Sequence, residues 1–397
     1  MILIVRSRRP AATNVVTLLS LPVVMLLAAL VFHVCLLRAT RTELQTGADA
    51  AALAAARELA TDELLLSDPP VTGGRVGKAR DAAGTLAAAN LVAGKYLQLQ
   101  PNPDNSADGD IVLGFMDSPL GTFNPATGSD PSSWSGTRLN AVHVTTRRSG
   151  TGAILGVMGR DAFARATAML DFAVVGFRTL TDDPLPLVPV GVFTDHVGAL
   201  PDSWDAKIAR SPTDEWAFDP NTGQFIPGAD GIPEVTVVIG GGESRTVAGM
   251  FLRLGAEAFR ETAEQCRSGV RRSQLSAEIG GEFVLGPANT LSVHGSSGCA
   301  PTGTGARRLI ETALEDIRLA GLPRVWPLFS GTDEAGTVQV CGWVAARLVA
   351  VGAHNGGLAL TLQPTVFHHP SVVTERRTNP PAFWANNRTV CRVKLAE

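Results

Sequence analysis

The segment VVTLLSLPVVMLLAALVFHVCLL, Val15 to Leu37, holds 23 residues and no formal charge. At about 1.5 Å per residue, a helix of that length covers about 35 Å, enough to cross a hydrocarbon core of about 30 Å with some tilt. Pro22 lies inside the run and is expected to bend it. The run exceeds the roughly 7–15 apolar residues of a cleaved signal peptide, and no clean A-x-A site follows it. Val34 stands before Cys35, where a lipoprotein would need a small residue. The expectation is a retained single-pass anchor over 15–37, with 1–14 as a cytoplasmic tail. Arg6, Arg8 and Arg9 precede the span, and Arg38 and Arg41 follow it. That balance favours an inside N-terminus and export of the remainder. His33, about one turn from Arg38, is expected to reach the headgroup region as a neutral imidazole.

Beyond the span the chain changes character without a break. RATRTELQTGADAAALAAARELATDELLL contains no proline and consists mostly of strong helix formers. Leu44, Ala48, Ala51, Ala52, Ala55 and Leu59 fall on one helical face, and Asp62 interrupts that stripe. Pro69 and Pro70 end the element. Small side chains let helix axes approach closely at little cost in rotamer entropy. Gly47, Ala48, Ala51, Ala52 and Ala55 are therefore the expected helix-packing residues, facing similar helices of other proteins. A second helix is expected over Val76–Gln98, completing a helical stalk at 38–98.

This arrangement resembles the N-terminus of the TadE/TadG-like proteins of Flp (Tad) pilus assembly. There a membrane helix runs directly into a helix of the pattern LQ-x-x-ADAAALA-x-A. Gln45, Ala48, Asp49, Ala50, Ala51, Ala52, Leu53, Ala54 and Ala56 match that pattern. AANLVAGKYL (Ala88–Leu97) resembles the second helix of larger members, and Asp110–Arg148 resembles their following β-region. Likeness continues more loosely into PRVWPLF and VCGWVAARLVAV. The resemblance implies a pilin-like α/β region over 99–180. It also implies a noncatalytic, membrane-anchored assembly component whose partners are other Tad/Flp membrane proteins or pseudopilins. Two features depart from relatives: no Glu occurs between Met1 and Arg41 for a prepilin peptidase, and no D-x-S-x-S metal string is present.

The rest of the chain reads as α+β. With 397 residues there is room for two or three domains, and 41 Gly with 25 Pro punctuate a strand-rich composition. Net charge is −3, without a basic field for nucleic acid. Strands are expected at Ile111–Phe115 and Ala141–Thr146, where Val142, Val144 and Thr146 share a face. A turn is expected around Asn124–Gly128. A β-rich extracytoplasmic domain over 181–397 would contain LPLVPVGVF, EVTVVIGG, helices at Gly255–Val270 and Gly305–Ala320, and a terminal meander. Asn355-Gly356 marks a tight turn in that meander. The tail from Ser371 carries no clear pattern, and no internal repeat is visible.

Chemistry-bearing strings are sparse. Asp104, Ser106, Asp108 and Asp110 alternate as in a calcium loop with Gly109 at its turn, but Phe115 replaces the closing Glu. An Asx-rich turn is the preferred reading. The Gly-rich GSSGCAPTGTGARR and the string GGRVGKAR lack P-loop spacing and read as a surface loop and a helix start. Ser292, His294, Asp195 and His196 could form a triad on paper, without a nucleophile elbow to support it. His368-His369 lack partner spacing for a metal. No cofactor is expected. Cys266, Cys299, Cys341 and Cys391 follow the span, and Cys35 lies within it. The four allow three pairings, with two disulfides favoured over buried thiols. The leading functional expectation is therefore a structural component of a Flp-type pilus or related secretion system. It would sit in the cytoplasmic (inner) membrane, held through residues 15–37. The rival is a membrane-tethered exported ligand-binding domain or hydrolase.

Overall fold

The computed structural model describes residues 10–396 apart from 67–72, 127–133, 135–138, 152–159, 179–180, 196–199, 211–212, 241–246, 256–258, 297–303, 335, 355–356 and 377–387. Helix α1 (Pro10–Glu58) is continuous for 49 residues and carries both the apolar span and the alanine-rich stretch. Helix α2 (Gly73–Ala88) follows, with α3 (Phe259–Ser268) and α4 (Thr304–Ala320) later in the chain. The main strands are β1 (Ile111–Phe115), β2 (Ala141–Thr151), β3 (Arg160–Asp171), β4 (Val190–Phe193) and β5 (Val235–Ile239). They continue as β6 (Val247–Leu252), β7 (Arg324–Thr332), β8 (Thr337–His354), β9 (Gly357–Pro364) and β10 (Val390–Leu395). The expected α+β class holds.

The first unit is a helix pair on an antiparallel sheet. Its order is β10-β3-β2-β1, with the short strands Phe367–His368 and Asn124–Pro125 at the two edges. Helix α1 lays Leu44, Ala48, Ala51, Ala52, Ala55, Ala56 and Leu59, all fully buried, into this core. Strand β3 answers with Ala162, Ala164, Ala166 and Ala168 at every second position, the period that puts them on one face. Alanine is a weak strand former. Here, methyl faces on helix and sheet bring the two backbones together, and α2 completes the seat with Val76, Ala79, Ala83 and Ala87. Val142, Val144 and Thr146 are buried on the shared face, as the spacing predicts.

Helix α2 ends at Ala88, ten residues before the expected stop at Gln98. Ala93 (φ 48°) and Gly94 (φ 75°) turn the chain back, pairing Leu91 with Tyr96 and Val92 with Lys95. The Glu43 carboxylate accepts the Ala93 N–H at 2.7 Å and ties this hairpin to α1.

In the second unit the strand pairings close a ring. Strand β4 pairs with β6, β6 with β5, β5 with β9, β9 with β8, β8 with β7, and β7 again with β4. The 18-residue strand β8 serves both sides by changing partners along its length, with a register shift between Leu348 and Ala350. Ile310, Ala313, Leu314 and Ile317 of α4 share one helical face and are buried against the sheet together with Ala263 and Cys266 of α3. On the opposite face Trp343 lies between Phe177 and Phe283, at ring-centroid distances of 5.4 and 4.8 Å. His354 pairs with Gly357, the register of a two-residue connection; Asn355 and Gly356 themselves lie outside the described residues.

The pairing of the first sheet crosses the expected boundary at residue 180. Strand β10, in the tail without a clear pattern, pairs antiparallel with β3 and belongs to the first unit. The second unit is an insertion between β3 and β10.

Candidate functional site

The apolar half of α1 is the feature that demands a function. From Leu18 to Leu36 its large hydrophobic side chains stand exposed, Leu26 at 71% and Phe32 at 60%. A core helix would bury such residues; an exposed apolar surface this long marks a lipid or protein contact. Among the described residues α1 is the one helix long and apolar enough to cross a membrane. The same helix then enters the core as one continuous element. Pro22 lies within it, in the exposed part.

The proposed packing residues require a correction of partner. Gly47, Ala48, Ala51, Ala52 and Ala55 are buried, and close approach is real, but the surfaces they meet belong to the same chain. A Cβ on Gly47 would stand 2.8 Å from Leu97 Cδ2. Folding spends this stripe on α2 and the sheet, so it is not open to helices of other proteins.

Asp62 is explained by the same fold. It starts a short 3₁₀ turn, Asp62–Leu65, and faces the second unit. Its Oδ1 accepts from the Thr365 hydroxyl and the Val366 N–H, each at 2.7 Å, while Oδ2 pairs with the Arg347 guanidinium. That guanidinium lies 3.9 Å above the Phe218 ring. Four segments distant in sequence meet here, and no local sequence pattern marks them.

The oxygen-rich loop is a strand cap. Asn105, buried and at φ 51°, donates to Leu113 O and Ala126 O and accepts from Leu113 N, at 2.8–2.9 Å. Asn102 donates to Ile111 O. These amides take the place of a neighbouring strand along β1. Asp110 accepts from Gln100 N and pairs with Arg147, so its oxygens serve the loop itself. Among the described residues no group of three or more His, Cys, Asp or Glu side chains is placed to hold a metal.

The remaining candidates are dispersed. Ser292 and His294 lie on one strand, Leu291–Ser296, which pairs with β6 and β8, and the Ser292 hydroxyl bonds Gln339. Asp195 accepts the Leu200 N–H, and His196 lies outside the described residues. These contacts do not assemble a triad. His368 Nε2 accepts from Arg57 Nε at 3.0 Å, and His369 Nδ1 meets Ser371 Oγ at 2.7 Å. Burial lowers the pKa of both; Arg57 and then His369 add to the effect on His368. Cys266, Cys341 and Cys391 are buried free thiols, which corrects the two-disulfide expectation; Cys299 lies outside the described residues. Burial pushes the thiols of Cys266 and Cys341 up to about 12, leaving them protonated and inert.

A groove of about 500 Å³ runs beside α1 between Gln45, Asp49, Phe123, His143 and Arg165. His143 Nδ1 meets Thr167 Oγ1 at 2.8 Å, and burial, then Arg165, lowers its pKa. Gln45 is held by Asp49 and Arg165 O. The polar groups are paired with one another, and the imidazole lies between the hydroxyls of Thr167 and Thr145.

The fold thus defines a class: an α+β protein whose exposed N-terminal apolar helix runs on as the central helix of its first core. Residues 11–58, nearly the whole of α1, match the family described as "Putative Flp pilus-assembly TadE/G-like". No curated protein and no solved structure matches the chain.

Proposed function

We propose that this protein is a membrane-anchored, noncatalytic component of Flp-type pilus assembly, of the larger TadG-like kind. The observation that carries the reading is α1 itself: the family match falls on the helix that is lipid-ready at one end and core-buried at the other. Such a helix transmits position. Anything that binds the span fixes the orientation of both β-rich units, because stalk and sheet share one packed core. The anchor lies in the cytoplasmic membrane with the N-terminus inside and the bulk of the chain exported. The span is the surface left for neighbours, since the alanine stripe is occupied.

Photocrosslinking in native membranes from Val23 or Leu26 tests this. Capture of Flp-pilus assembly membrane proteins is expected, and a reporter fused after Glu397 should be active only when exported. Crosslinks confined to lipid, or a reporter active in the cytoplasm, would overturn the proposal.

A further inference from the structure

Contacts along α1 fix how far each part of the first sheet stands from the bilayer, given the reading above that Val15–Leu37 spans it. Thr146 Oγ1 donates to Leu44 O, Gln45 Nε2 donates to Arg165 O, and at the other end Arg57 meets His368 beside β10. Strands β2 and β3 therefore run along the helix with their shared hairpin end toward the span. Leu44 is seven residues past Leu37, about 10 Å along a helix. Arg147 and Arg148 lie one and two residues nearer the span, each step about 3.3 Å. Their backbones thus stand about 7 and 4 Å beyond the hydrocarbon edge, within a headgroup layer about 5–8 Å thick, and the last pair, Thr151 with Arg160, dips below that edge.

The side chains at this level suit that layer. Phe163 pairs across the sheet with Arg147 and is 61% exposed, and the Arg165 guanidinium sits 5.6 Å from its ring centroid. A shallow groove of about 550 Å³ runs between Arg147, Arg148, Phe163 and Arg165. Arg38 and Arg41 stand exposed on α1 at the same depth. Asp108, Asp110 and Asp161 share the face, with Asp110 paired to Arg147 at 3.5 Å, and five arginines outnumber these three carboxylates.

We propose that this end of the β2–β3 hairpin rests on the bilayer, its arginines binding the phosphates of anionic phospholipids while Phe163 lodges among the headgroups. An aromatic ring flanked by guanidinium groups is the composition that such an interface selects. The protein then has two holds on one leaflet: a span that fixes position and a sheet edge that fixes tilt.

The test uses the full chain in vesicles of phosphatidylcholine with phosphatidylglycerol. A fluorophore is placed at Phe163→Cys, Leu27→Cys or Thr222→Cys in a Cys35→Ser, Cys299→Ser background, where the remaining thiols are buried. Quencher lipids labelled in the headgroup should dim Phe163→Cys and spare Thr222→Cys, while acyl-chain quenchers dim Leu27→Cys. Replacing Arg147 or Arg148 by Gln should shift the docked-to-undocked ratio about fivefold each. An unquenched Phe163→Cys beside a quenched Leu27→Cys overturns the surface contact and leaves the anchor standing. An unquenched Leu27→Cys overturns the anchor and this inference with it. Quenching at Phe163→Cys that ignores phosphatidylglycerol and both arginines refutes the phosphate recognition.

Discussion

Removing the Asp62 carboxylate by Asp62→Ala should loosen the seam between the two units. Its side chain is about a quarter exposed (26%), against 13% for its partner Arg347, so water screens the pair in part. Hydrogen bonds to a charged group contribute about 1.5–3 kcal/mol each, but those sharing one acceptor do not add. Two neutral donors at 2.7 Å and one guanidinium depend on Asp62, and Thr365 is fully buried. Arg347 keeps its contact with Phe218. Discounting for exposure, the loss is about 2–4 kcal/mol. At about 2–4 °C per kcal/mol for units of this size, the transition should fall by about 5–15 °C. Thermal unfolding of the detergent-solubilised chain, followed by tryptophan fluorescence, provides the assay, because Trp326 and Trp343 are buried in the second unit. The cycle with Arg347→Ala should show a coupling of about 1–2 kcal/mol. A loss under about 0.5 kcal/mol, or an additive cycle, would mean that the seam is held by apolar packing alone.

Three further outcomes are expected. Ala52→Leu should cost about 1–3 kcal/mol of stability by overpacking the α1 core, whereas Leu27→Ala on the exposed span should leave thermal unfolding unchanged; loss of partner capture with unaltered stability would return Ala52 to an intermolecular role. Asn105→Ala strips three hydrogen bonds from a buried strand edge and should cost about 2–4 kcal/mol, measured by denaturant unfolding, with added calcium making no difference. Acidification should destabilise the fold: burial lowers the folded pKa of His143, His368 and His369, so the unfolded chain takes up protons first. Stability is then complete above the ordinary histidine value near 6.5 and falls as pH drops from there toward the lowered folded values. His368→Gln should flatten that slope in melts between pH 7.5 and 5.5, and an unchanged slope would count against it.

How much of this was legible depends on how local each signal is. The span, the alanine stripe, β1 and the start of β2 rest on side chains whose period can be counted, and the structure follows them. Strand β3 escaped because RDAFARATAMLD alternates alanine with bulkier residues, and alanine reads as helix unless its period of two is noticed. The stripe Gly47–Ala55 announced close packing but could not name the partner, since the receiving alanines lie more than a hundred residues away. The overlong α2 came from counting helix formers through Ala93-Gly94, where backbone turn preference wins. Asp62 registered as a blemish in a pattern; its meaning depends on Arg347 and Thr365, which only tertiary contact brings to it. The cysteine expectation failed because burial in an apolar core and pairing leave the same trace in a sequence.

Strand β10 has a consequence for how the molecule is made. The sheet that cradles α1 lacks its outer strand until the ribosome has finished the whole inserted unit. Until then the sheet around α1 stands half-built, because β3 has no β10 to pair with. A truncation shortly before Val390 would therefore damage the sheet around α1 first, far along the chain from the cut.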